Sequence, residues 1–234
     1  MNKEELRKYI LEGVVTDLSH AFRSYYSYNR IAGRAKQVNN SSKHWKDLFA
    51  THQKQAFREM VISLSRVYDK KRGKNKTVCL DSVLSLCADK SESLPINEPY
   101  QVQELMRQER WLANHTSLAL ETSSSRLIEL LQLYHEQQII NEPLASIITY
   151  MKSFRDKALA HRDLDYIAEN HSIPNYLNLA RHAMYMSSIL GIAFEGVSYG
   201  FGDDDSLVED DARRGSIYID RCLDELLDTE GNSK

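Results

Sequence analysis

Residues that break helices are rare in this chain. Only four prolines and nine glycines occur among its 234 residues, and no hairpin dipeptide separates two alternating apolar runs. These absences exclude a fold built mainly from β-hairpins. Long stretches rich in Leu, Ala, Glu, Gln, Lys and Arg favour helix instead. The sequence therefore predicts an all-α protein.

Cysteine, net charge and long apolar runs are also scarce. Cys79, Cys87 and Cys222 form no CxxC motif, so we expect reduced thiols in a cytoplasmic protein and no cysteine metal site. The net charge of −3 excludes a generally basic nucleic-acid binder but allows a local basic face. The most apolar stretch, residues 183–201, contains Glu195 and is too polar and short to span a bilayer. We therefore expect a buried helix there and no membrane association.

Apolar residues spaced three and four apart divide the chain into amphipathic helices. We expect helices near residues 3–30, 43–68, 80–88, 100–115, 123–138, 143–161, 174–199 and 207–228. Short connections between long helices predict a single-domain antiparallel bundle. Its parts would be an N-terminal helix (1–40), a core bundle (41–200), and an acidic linker with a C-terminal helix (203–234). On the second helix, the inward stripe should include Leu48 and His52.

Residues 155–163 are the one chemically suggestive segment. They read RDKALAHRD and lie near the end of a predicted helix. His161 is a residue type that exchanges protons near neutral pH, and Arg155 offers a fork of donors to phosphate oxygens.

This segment resembles the signature of the HEPN superfamily, all-α domains many of which are metal-independent ribonucleases. The signature is an arginine, four to six further residues and a histidine, often with a polar residue directly after the arginine. Asp156 takes that polar place here. A second similarity lies in the segment RVYDK at residues 66–70. Together the two segments resemble the AbiU-like branch, named for a phage abortive-infection protein, over about residues 40–200.

The resemblance implies a HEPN-type bundle with additional flanking helices. It also implies an endoribonuclease of prokaryotic stress or phage defence, acting as a toxin or an abortive-infection effector. RNA carries its own nucleophile, the 2′-hydroxyl, so such an enzyme needs no metal, and the expected product is a 2′,3′-cyclic phosphate. Arg155, His161 and Asp156 would be catalytic, without a cofactor or a metal. RNA would also contact basic residues of this segment and of the loop after the second helix, which are Lys152, Lys157, Arg162, Lys71 and Arg72. An antitoxin or another neutralising partner is a further expectation.

The spacing of Arg155 and His161 bears on assembly. On a straight α-helix, residues six apart are separated by about 120° around the axis and about 9 Å along it. The two side chains of one chain would therefore diverge. HEPN sites are usually composite, formed where two subunits bring their motifs together. We therefore expect a two-fold symmetric dimer.

The same pattern has other interpretations. Arg155 would pair with Asp156 or Asp163 at a helix end, and His161 would favour the C-terminal helix dipole. The domain would then be structural, or a non-catalytic module that binds nucleotide, nucleic acid or protein. A similar arginine–histidine spacing occurs a second time, from Arg110 to His115, so the spacing alone does not identify a functional site.

Three other clusters give weaker signals. The basic loop at residues 70–76 would contact RNA phosphates or simply be solvated. The acidic run at residues 203–211 lacks the spacing and glycine of an EF-hand loop. The remaining histidines, His135 and His182 among them, have no metal-ligand spacing, so we expect no metal site.

Overall fold

The structure, a computed structural model, describes residues 3–70, 78–91, 94–115, 123–141, 144–159, 173–200 and 207–231. All regular structure in these ranges is helical, which confirms the all-α prediction. In chain order the helices are α1 (Lys3–Arg7), π1 (Lys8–Val15), α2 (Thr16–Gly33), α3 (Ala35–Asn40), α4 (Lys43–Val67), α5 (Leu80–Lys90), α6 (Pro99–Gln108), α7 (Arg110–Ala113), α8 (Ser124–Ile140), α9 (Leu144–Phe154), π2 (Arg155–Leu159), α10 (Ile173–Glu195), α11 (Leu207–Gly215) and α12 (Ile217–Gly231).

The predicted helices are present, but several end or divide at other residues. The helix predicted over 100–115 divides at Glu109, whose backbone is extended. The last helix divides at Ser216. α10 was expected to reach Tyr199 and ends four residues earlier, because Gly196 adopts a positive φ of 72°. Only glycine takes that conformation without strain, so it stops the helix.

The central element is α10, in which every residue from His182 to Phe194 is buried. It contacts α2, α4, α6 and α9, while α2 and α4 form the most extensive helix pair. This burial explains the apolar stretch in the sequence. Within the ranges that the structure describes, no helix is both long enough and apolar enough to cross a membrane.

The first half of α4 departs from the predicted inward stripe. Leu48 is 47% exposed, and His52 is exposed as well, so both were wrongly expected to face the core. This end of α4 lies against a small second cluster of buried residues: Ile31, Val38, Phe49 and Leu223. Because that cluster covers only one narrow strip of the helix, neighbouring apolar positions stay in solvent.

Polar contacts attach the C-terminal helices to the bundle. Glu209 of α11 is only 3% exposed. It accepts hydrogen bonds from the Tyr26 hydroxyl at 2.5 Å and from two nitrogens of Arg181 at 2.9 and 2.6 Å. In α12, Asp220 pairs with Arg30 at 2.5 Å. The buried carboxylate of Glu209 is thus fully compensated, as burial of a charge requires.

Candidate functional site

The two segments that carry the family resemblance meet in the structure. Arg155 is the first residue of π2, and Asp69 lies two residues beyond the end of α4. Nη1 of Arg155 donates to Oδ2 of Asp69 at 3.0 Å, across 86 residues of sequence. Nε of Arg155 donates to Oδ1 of Asp156 at 3.0 Å. The guanidinium is therefore held between two carboxylates.

Tyr68 fixes the position of Asp69. Its side chain is buried, and its hydroxyl donates to the carbonyl of Leu179 in α10 at 2.7 Å. Directly after this anchor, Oδ1 of Asp69 accepts the backbone N–H of Lys70 at 3.0 Å. Both carboxylate oxygens of Asp69 are thus engaged, so the acceptor for Arg155 has a defined orientation.

Aromatic packing fixes the position of Arg155. The preceding residue, Phe154, is buried and packs edge-to-face against Phe57 of α4, with ring centroids 5.8 Å apart. From Arg155 to Leu159 the backbone is π-helical and not the straight α-helix that was assumed for the spacing within this segment. Single π-turns within helices are frequent at functional sites.

Burial and charge act in opposite directions on Arg155. Its side chain is 24% exposed, compared with 19% for Asp69 and 62% for Asp156. Burial disfavours the charged guanidinium, but the Asp156 and Asp69 carboxylates outweigh it and raise the pKa of Arg155. Of the two pairs, the one with Asp69 is better shielded from solvent and salt.

The structure describes four of the eight predicted site residues. Arg155 and Asp156 are in contact, as the helix-end interpretation also predicted. Lys152 lines a cleft that Asp69 borders, and Lys157 is exposed on π2. The other four, His161, Arg162, Lys71 and Arg72, lie outside the described residues. The basic loop is described only at Lys70, and the EF-hand question for residues 203–206 likewise falls outside the described ranges.

The cleft beside Asp69 has a volume of about 220 Å³. Its polar lining comes from α5, α8, α9 and the end of α4, and consists of Asp69, Lys70, Asp81, Gln132, His135, Glu136 and Lys152. Three of these side chains are carboxylates and two are lysines. Among the described lining residues, carboxylates thus outnumber lysines.

A buried histidine pair lies behind this cleft and was not predicted. Nδ1 of His135 is 3.2 Å from Nε2 of His182, and the Tyr68 ring stacks near both imidazoles. Burial lowers the pKa of His135 to about 4, against an opposing effect of Asp81. Burial and the neighbouring His135 lower the pKa of His182 to about 3. The only sequence signal was a histidine on the apolar face of each helix.

The second arginine–histidine match has a different structure. Nδ1 of His115 lies 2.7 Å from the carbonyl of Trp111, and the two rings stack with centroids 4.3 Å apart. Arg110 is exposed and makes no ion pair within the described ranges. His115 therefore completes a local turn.

Among the residues that the structure describes, no three His, Cys, Asp or Glu side chains are grouped so that they could hold a metal. Comparisons with protein-family models, with curated proteins and with solved structures found no match to this chain. The assignment of a function therefore depends on the residues of the site and their geometry.

Proposed function

We propose that this chain is a metal-independent endoribonuclease of the HEPN type, in its AbiU-like branch. It would act in prokaryotic stress or phage defence as a toxin or an abortive-infection effector. The contact between Arg155 and Asp69 at 3.0 Å carries the proposal. The two segments that resemble the family are distant in sequence. Their contact in the structure is what a site formed by both segments requires.

In the proposed reaction the 2′-oxygen attacks the adjacent phosphorus, and the bond to the 5′-oxygen breaks. His161 accepts or donates a proton in these steps, which is general acid–base catalysis. Arg155 donates to the non-bridging oxygens as charge develops on them. The products are a 2′,3′-cyclic phosphate and a free 5′-hydroxyl.

The two carboxylates on Arg155 have different parts in this proposal. Asp156 is 62% exposed, and exposed ion pairs contribute only about 0–1 kcal/mol. A substrate phosphate can therefore replace Asp156 on Nε at little cost. Asp69 is 19% exposed and keeps its contact with Nη1, so it acts as a positioning residue that holds the fork toward the substrate.

A two-fold dimer is part of the proposal. Leu133 and Ile140 are 51% and 68% exposed and lie seven residues apart on α8, so they share one helical face. Their place beside the cleft residues of α8 makes this face suitable for a composite site.

By light scattering, Ile140→Glu should give monomers, while Tyr100→Glu, at an equally exposed aromatic, should not.

The direct test is cleavage of RNA by the purified protein in EDTA, with detection of the cyclic phosphate. His161→Ala should lower the rate about 10²- to 10⁴-fold, as loss of general acid–base assistance does, while His115→Ala should retain it. Activity that disappears with EDTA and returns with magnesium would contradict the mechanism. Equal losses in the two variants would indicate destabilisation and not catalysis.

Mixing two inactive chains tests whether the site is composite. Heterodimers of Arg155→Ala with His161→Ala recover one intact site of two when each site takes one residue from each subunit. If both residues of a site come from one chain, both sites of that heterodimer stay inactive. No recovery, in mixtures shown to contain heterodimer, would overturn the composite site.

One observation favours a second function. Two donor nitrogens of Arg155 are already paired with carboxylates, which suits a structural helix end in a non-catalytic module that binds nucleotide, nucleic acid or a partner protein. RNA binding without cleavage, at equal affinity in wild type and His161→Ala, would support this module.

A further inference from the structure

The proposed mechanism assigns no role to the cleft beside the Arg155–Asp69 pair. Its volume of about 220 Å³ is below the range of about 300–1,000 Å³ typical for drug-sized ligands. It therefore suits one small ring system. Asp69 borders the cleft and also holds Arg155, so a group bound there lies next to the proposed site of phosphate attack.

The lining combines apolar and polar side chains in the way that planar heterocycles require. Leu84, Ile139 and Ile148 supply apolar surface, while Gln132 and Glu136 supply polar atoms from α8. Bound ring systems are commonly recognised by apolar contact on their faces and hydrogen bonds at their edges. The described part of this lining, with three carboxylates and two lysines, favours a hydrogen-bond donor over a phosphate.

The buried histidine pair fixes the hydrogen-bonding role of His135. Nδ1 of His182 is buried and has no hydrogen-bond partner within the described residues. A buried N–H without a partner is rarer in proteins than an unsatisfied acceptor, so His182 carries its proton on Nε2 and donates to Nδ1 of His135. Neutral His135 must then be protonated on Nε2. His135 is one of the residues that line the cleft, and Nε2–H is its one side-chain donor.

The combination of a fixed donor with carboxylates selects among nucleobases. Adenine, cytosine and guanine each have an exocyclic amine that donates to a carboxylate and a ring acceptor that accepts from an N–H. Uracil has no exocyclic amine, and its one ring donor on that edge, N3–H, lies between two carbonyl oxygens that repel an approaching carboxylate. We propose that this cleft is a base-binding subsite that takes an amino-bearing nucleobase of the RNA, with Glu136 and His135 at its edge. This inference rests on the proposed ribonuclease function for its substrate.

The subsite can be tested without catalysis, using nucleosides that lack any phosphate. NMR titration of His161→Ala protein with adenosine, cytidine and uridine should show saturable shifts at α8, and uridine should bind at least tenfold more weakly than the others. Glu136→Gln should reduce that preference at least tenfold. Glu129→Gln, at an exposed residue of the same helix that pairs with Arg126, should retain it. Nitrogen-15 shifts should report a proton on Nε2 of His135.

The outcomes separate the subsite from the ribonuclease. Equal binding of all three nucleosides, no binding at α8, or an unchanged preference in Glu136→Gln would overturn the subsite even where RNA is cleaved. Amine-selective nucleoside binding by a protein that cleaves no RNA would support the subsite and overturn the ribonuclease assignment. With both in place, Glu136→Gln should lower kcat/KM on oligoadenylate at least tenfold relative to oligouridylate.

Discussion

Arg110 and Arg155 each begin a segment that ends in a histidine at nearly the same spacing, yet their surroundings differ. Arg110 is exposed on a four-residue helix, and its histidine binds the carbonyl of Trp111 on the same turn. Arg155 lies at a junction of α4 and π2, where it contacts Asp69 from a distant part of the chain. One segment is completed by its own neighbours, whereas the other is completed by a second element.

This difference shows what a short motif can and cannot indicate. A functional site needs groups from several elements, because substrate contacts converge from different directions. A local turn satisfies its own polar groups and leaves none for a ligand. Contact with a second motif is therefore a better criterion than spacing for choosing between Arg110 and Arg155.

Removing the guanidinium fork at each arginine in turn should give the largest difference between the two segments. Arg155→Lys should lower RNA cleavage by about 10²- to 10³-fold, the usual effect of losing a donor to a developing oxyanion, because an ammonium cannot reproduce the fork. Arg110→Lys should leave the rate within about twofold. Single-turnover cleavage of labelled RNA measures both. Similar rates for both lysine variants would remove the distinction.

The buried histidine pair near Arg155 should make the free energy of unfolding depend on pH. The pKa values of His135 and His182 are lowered to about 4 and about 3, whereas in the unfolded chain histidine titrates near 6.5. Below that value the unfolded state binds protons first, so stability falls as pH falls. Between pH 7 and 5 the pair should account for a loss of about 4 kcal/mol.

Urea unfolding of wild type and His182→Gln at several pH values measures this contribution. The variant should lose about half of the pH dependence, because one of the two depressed histidines is gone. Only the slope against pH matters, since the substitution also changes stability at neutral pH. Parallel curves for the two proteins would mean that folding does not lower the pKa of His182.

Substitution of Asp69 tests whether this residue positions Arg155 for catalysis or has only a structural role. Asp69→Asn should lower kcat about tenfold, roughly 1.4 kcal/mol, since the amide holds the guanidinium less strongly. It also removes a negative charge beside the substrate phosphate, so KM should fall or stay constant. Asp156→Asn, at the exposed partner, should change kcat less. A rise in KM with constant kcat would contradict the positioning role.

The helices were predictable because their apolar stripes repeat every three to four residues and prolines are few. Leu48 and His52 fit the stripe of α4 and are nevertheless exposed. Apolar periodicity identifies which face of a helix is apolar, but not how much of that face is covered by neighbouring helices. The π-turn at Arg155 has no sequence signal of its own, because its residues are ordinary helix formers.

For the candidate site, the sequence indicated residues but only one of their contacts, that of Arg155 with Asp156. Arg155, Asp156 and the segment around Asp69 were all identified from the sequence, yet the pairing of Arg155 with Asp69 depends on how α4 and α9 pack. The pairing of His135 with His182 depends on the packing of α8 and α10 in the same way. In the sequence, a histidine on the apolar face of a helix gives the same pattern whether or not its ring contacts another polar group in the fold.

The smallest expected effect concerns His115, where stability and activity should separate. His115→Ala removes a hydrogen bond to Trp111 and a stacked ring pair, each worth roughly 1 kcal/mol. Because the ring is only half-buried, the free energy of unfolding should fall by about 1 kcal/mol in urea titrations. RNA cleavage per folded molecule should stay within about twofold of wild type, since no group near Arg155 changes. A large loss of activity at unchanged stability would instead place Arg110 and His115 in the functional site and reverse the comparison.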